Sequence, residues 1–124
     1  MSTQENLNEV MRFLFTIQII NKMYHLNTTS FARHKASDAF DDSLQSHIDR
    51  FAETYIGRYK VKPIVTSLKI DQEYLSDDGI EKLFIQVRKY LENINRMFAD
   101  PDLLAIRDDL LADVNKTLYL FQLK

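Results

Sequence analysis

Apolar residues recur at steps of three and four along most of the chain, the repeat of α-helices laid against a core. From Ser30 to Gly57 the positions Phe40, Leu44, Ile48, Phe51 and Tyr55 keep that step. At about 100° per residue they fall in one arc of roughly 80°, so the spacing predicts a single long helix. An earlier helix is expected over Gln4–Leu26, with Leu7, Val10, Met11, Leu14, Ile17 and Met23 as its stripe. Phe13, Phe15, Ile19, Ile20 and Tyr24 widen that stripe, which implies that two faces of the helix are covered, one of them in an oligomer. A third helix is expected to about Ala99, carried by Ile80, Leu83, Phe84, Val87, Leu91, Ile94, Met97 and Phe98. A fourth, to about Leu123, is carried by Leu103, Ile106, Leu110, Val114, Leu118 and Phe121; Arg107, Asp108, Asp109, Asp113 and Lys116 form its solvated face or rim.

The punctuation between these stripes is sparse. Asn27-Thr28-Thr29-Ser30 is a short polar link with Ser30 or a neighbouring Thr as a helix N-cap, and so short a link makes the first two helices antiparallel. Gly57 is placed to end the second helix. Residues 58–76 are long for a bundle connection yet hold Tyr59, Val61, Ile64, Val65, Leu68 and Ile70, so they are expected to cross the bundle packed down, with a helical turn. Asp78 and Glu81 resemble a capping box with Asp77 beside it, and Asp100-Pro101 reads as N-cap and first helical residue. Four helices of roughly 20–26 residues with one long crossover between the second and third describe an all-α, ferritin-like four-helix bundle, one domain over residues 1–124.

Composition narrows this picture. Only two Gly and two Pro occur in 124 residues, in keeping with a mostly helical chain. There is no Cys, which removes thiolate metal sites and disulfides and fits a cytoplasmic setting, of a bacterium or an infected host cell. No signal peptide and no membrane-spanning run is visible. A net charge of −2 gives no general pull toward nucleic acid; Arg58, Lys60, Lys62 and Lys69 form a basic cluster read as a solvated rim.

The candidate chemistry lies on a second stripe of the long helix. His34, Asp38, Asp49 and Glu53 share an arc of roughly 100°, well round from the apolar one. One imidazole and three carboxylates suit non-haem iron, zinc or manganese, although such acids also serve as an ordinary solvated face. His34 and Asp38 are one turn apart, as are Asp49 and Glu53, but the two pairs are about 16 Å apart along the axis, more than one centre spans. Two copies crossing antiparallel would bring the first pair of one chain to the second pair of the other, twice, about a two-fold axis near Ser43 and Leu44. His25, at the end of the first helix, comes beside His34 and adds a ligand. Three carboxylates buried at such an interface would require a cation. His47 fits no ligand set and is expected at the surface or an interface; Asp41 and Asp42 flank the path of incoming cations or are solvated.

Tyr24-His25-Leu26-Asn27, then H-x3-D and D-x3-E eleven residues later, resemble the mini-ferritins, the DNA-binding proteins from starved cells (Dps). The resemblance implies a di-iron or mono-iron ferroxidase centre at a two-fold dimer interface, with His25, His34 and Asp38 from one subunit and Asp49 and Glu53 from its partner. It implies iron(II) oxidation by hydrogen peroxide or oxygen, iron storage, and a dodecameric cage, with zinc or manganese as substitutes. Leu26 stands where that family carries tryptophan, and residues 1–9 hold no Lys or Arg, so DNA binding through a basic tail is not carried over. Leu104, Asp108 and Asn115-Lys116-Thr117-Leu118-Tyr119 also look like small ferritin-like proteins encoded by phages and large DNA viruses. The competing expectation is a non-enzymatic helical interaction protein that turns over no metal.

Overall fold

A computed structural model describes residues 1–124. The chain forms four helices, α1 (Thr3–Asn27), α2 (Phe31–Tyr59), α3 (Asp77–Glu92) and α4 (Pro101–Leu120), with 3-10 turns at Gln72–Leu75 and Ile94–Arg96 and no strand. No helix is long and apolar enough to cross a membrane. The expected stripe of α2 is buried in full, because α2 lies between α1 and α4 while α3 packs on α4. One core joins all four helices, with Leu7, Leu44, Ile80, Phe84 and Leu103 sealed from solvent. Burying each such side chain stabilises the fold by about 1.5–3 kcal/mol.

Polar tethers at the two ends set the course of the chain. The link Thr28–Ser30 reverses it, and Ser30 caps α2 by accepting the Arg33 amide at 3.2 Å. At one end Tyr55 donates to the Thr3 carbonyl at 2.7 Å and Tyr59 to Asp100 Oδ2 at 2.6 Å. At the other Tyr24 donates to Asp77 Oδ1 at 2.6 Å and Arg33 Nη2 to Glu81 Oε2 at 3.0 Å. Thus α2 ends beside the starts of α1 and α4, whereas α3 begins at the opposite end. The connection 60–71 therefore runs the length of the bundle. Val61, Val65 and Ile70 pack on the core, and Asn8 of α1 accepts the Ile64 amide at 2.8 Å. The helical turn expected in this segment is Gln72–Leu75.

Several expected boundaries move. Gly57 does not end α2, which runs on to Tyr59 with Lys60 as its left-handed cap at φ 55°. The continuation is held by Tyr59, which reaches Asp100, while Gly57 merely faces open space. Ser76, not Asp78, is the N-cap of α3, accepting the Gly79 amide at 3.0 Å. The same helix stops at Glu92 instead of near Ala99. There Asn93 Nδ2 donates to the Lys89 carbonyl at 2.7 Å and Arg107 Nη1 to that of Leu91 at 2.9 Å, which satisfies carbonyls that the helix end leaves open. Ile94 and Phe98 nevertheless stay buried. Asp100 occupies the N-cap position of α4, but its carboxylate makes no cap bond there; Tyr59 and Arg58 take it and hold its pKa below the ordinary carboxylate range. On α1, Ile20 and Tyr24 of the widened stripe join the core, whereas Ile19 is exposed and Phe13 and Phe15, like Met23 of the main stripe, are half-buried, so within one chain the rest of the second face is only an apolar fringe.

The two glycines make opposite predictions. Gly57→Ala places a methyl in open space inside a helix and raises stability by about 0.5–1 kcal/mol. Gly79→Ala drives a Cβ into the Glu73 backbone carbonyl and lowers stability by about 1–3 kcal/mol. Urea unfolding of the two variants checks both signs.

Candidate metal centre

The short α1–α2 link does bring His25 to His34. Their rings stack with centroids 3.9 Å apart and planes 20° from parallel. Each imidazole donates to the other residue's backbone: His25 Nδ1–H to the His34 carbonyl at 3.0 Å, and His34 Nδ1–H to the His25 carbonyl at 2.9 Å. A carbonyl only accepts, so both Nδ1 atoms carry hydrogen, and it is Nε2 that carries the lone pair in the neutral form of either ring. The His25 carbonyl lies in the last turn of α1, where helices leave acceptors open. The pair thus clasps the end of α1 to the start of α2.

Behind the rings lies a buried polar layer. Ser37 is sealed from solvent and donates to the Arg33 carbonyl at 2.8 Å. Asn21, one turn before His25 and equally sealed, donates Nδ2 to the Ser37 carbonyl at 2.9 Å and leaves Oδ1 without a partner.

The carboxylates are less gathered. Asp38 Oδ1 lies 3.9 Å from His25 Nε2, and Asp38 is exposed. Asp49 and Glu53 continue along the exposed outer face of α2, about 16 Å further on by the helical rise. Nothing in the same chain brings them to the histidines, and no three His, Cys, Asp or Glu side chains converge closely enough to hold an ion within one chain. Leu44 faces the core, so an axis relating two α2 helices would pass through the outer face beside Asp42 and Gln45, not through Leu44. Asp41 is taken by Lys22 at 3.4 Å; Asp42 is solvated.

His47 corrects an expectation. Its side chain is only 11% exposed and lies between α2 and α4 instead of out at the surface. Nε2 lies 2.8 Å from Asp113 Oδ2 and 3.3 Å from Ser43 Oγ, which also donates to that carboxylate. Serine, histidine and aspartate thus meet, but the hydroxyl and the carboxylate share one imidazole nitrogen. A nucleophilic triad needs them on opposite nitrogens, and here Nδ1 is buried without a partner. The cluster ties α2 to α4. The repeat i, i+4 of Ser43 and His47 was visible in the sequence; Asp113, 66 residues from His47, was not.

The sequence profile of a family described as "Family of unknown function (DUF5856)" matches residues 25–121, a span that takes in all five candidate ligands. The "Uncharacterized 14.6 kDa protein in mobD-ri intergenic region" of Enterobacteria phage T4 is 28% identical over 119 residues, 94% of this chain and 88% of the phage protein. No solved structure matches.

Proposed function

The chain belongs to the DUF5856 family of unknown function, and from that premise we propose that it binds iron(II) as substrate at sites shared by two copies and oxidises it. The reading is of a ferritin-like bundle in which α2 helices meet antiparallel through their outer faces. His25, His34 and Asp38 of one copy then face Asp49 and Glu53 of the other. The observation that carries it is the reciprocal bonding of the two histidines. Ligand histidines characteristically donate their second nitrogen to a carbonyl or carboxylate, which orients the ring and aims the free lone pair outward. Two such imidazoles with three hard carboxylates suit iron in both oxidation states. Two iron(II) ions would give one electron each to a hydrogen peroxide molecule, which with two protons leaves as water. The connection 60–71, running the length of the bundle, supports the ferritin-like arrangement.

A second reading, a helical interaction protein without metal turnover, is favoured by one surface feature. Leu26 is 71% and Phe31 74% exposed on either side of the α1–α2 link, an apolar patch that a partner would cover. Purified protein given iron(II) and peroxide separates the two. Iron oxidation predicts growing ferric absorbance and a native mass of at least a dimer. Asp49→Ala with Glu53→Ala is expected to abolish the absorbance while leaving helicity intact, since both residues are exposed. Unchanged oxidation in that double variant removes the proposed site. A monomer inert to iron leaves the interaction reading.

A further inference from the structure

Away from the histidines, α1 and α3 leave a hollow of about 440 Å³ between them. The two helices do not lie along each other; α1 packs on α2 and the Gln72–Leu75 turn, and α3 on α4. Side chains bridge the gap at one end, where Phe13 stacks on Tyr90 with centroids 3.7 Å apart. Tyr74 of the turn donates to Gln86 of α3 at 3.0 Å. The wall is apolar, with Ile17 and Ile20 from α1 and Leu83 and Val87 from α3.

Charge at this hollow is unbalanced. Arg12 of α1 and Lys69 of the long connection both line it, and neither is ion-paired to any carboxylate of the chain. The lining carboxylate, Glu9, accepts the Tyr90 phenol at 3.2 Å instead. Two uncommitted cations beside an apolar wall complement one kind of molecule, with a greasy tail and a single anionic head. The volume suits a small molecule; a helical segment, about 10–12 Å across with its side chains, is too large for it.

We propose that this hollow binds an aliphatic monocarboxylate, its chain lying against Ile17, Ile20, Leu83 and Val87 and its head held by Arg12 and Lys69. None of these residues belongs to the histidine site, so the proposal stands or falls apart from iron oxidation.

Calorimetric titration of the full chain with sodium decanoate, below its micelle concentration, tests it beside decanol and acetate. Decanoate is expected to bind saturably, one per chain. Acetate, lacking the tail, is expected to give no saturation, and decanol, lacking the charge, to bind at least about tenfold more weakly. Arg12→Glu with Lys69→Glu changes two exposed side chains and should weaken decanoate at least about tenfold while leaving decanol unchanged. Thr16→Trp, filling the hollow from its half-exposed rim, should remove both. Circular dichroism verifies the fold of each variant. Absence of saturable decanoate binding, binding indifferent to the charge reversal, or binding that survives Thr16→Trp overturns the proposal.

Discussion

Phe84→Ala is expected to lose about 3–5 kcal/mol of stability, a large share of the roughly 5–15 kcal/mol that a domain commonly holds. Phe84 is sealed from solvent, and its ring lies 4.7 Å from Phe40 of α2 and 5.4 Å from Phe121 just past α4. Phe121 in turn meets Tyr24 of α1 at 5.8 Å and lies under the Arg33 guanidinium at 5.0 Å. The Phe84 ring therefore joins α3 to α2 and to the C-terminal turn, which itself meets α1, and its removal leaves a hole that no neighbour can fill without leaving another. Urea unfolding should show the midpoint falling with an unchanged slope. A loss under about 1 kcal/mol would mean that the site collapses freely or that the ring is not central.

The second large effect is expected at alkaline pH. Four phenols titrate above the ordinary tyrosine range. Tyr24 is raised by burial and by its bond to Asp77, and Tyr55 by burial and nearby negative charge. Tyr59 is raised chiefly by Asp100, and Tyr90 strongly by burial beside Glu9. The unfolded chain releases these protons near pH 10 while the folded one keeps them. The folded state then binds more protons, so stability must fall as pH rises through that point. Below about pH 9 the four contribute no slope. Denaturant unfolding across this range should show the decline, and Tyr90→Phe should flatten it more than Tyr59→Phe. A flat profile would mean that the phenols are freely solvated.

What could be read before folding follows from what is local. Each core stripe was legible because helical burial repeats every three or four residues, and Phe40, Leu44, Ile48, Phe51 and Tyr55 keep that repeat without a gap. The nearness of His25 and His34 was legible because a link of a few residues admits only one way back. The end of α3 was not: Ile94, Met97 and Phe98 continue the helical spacing past the break, which Asn93 and the distant Arg107 enforce. Gly57 misled because a glycine on a solvated face costs a helix little when Tyr59 beyond it is anchored. The reciprocal histidine bonds, the hollow beside Arg12 and the Ser43–His47–Asp113 cluster depend on how elements far apart in the chain are set against one another, which periodicity does not encode.

The packing order has a consequence for synthesis. The buried stripe of α2 is covered by α1 and by α4, and α4 is made later than both. From Tyr55 to Phe121 a ribosome adding roughly 5–20 residues per second needs roughly 3–13 seconds. Throughout that interval the nascent hairpin of α1 and α2 presents to its surroundings the aromatic and aliphatic side chains that α4 will cover. The growing chain is therefore most exposed to mispairing with a neighbour on the same message just before α4 emerges.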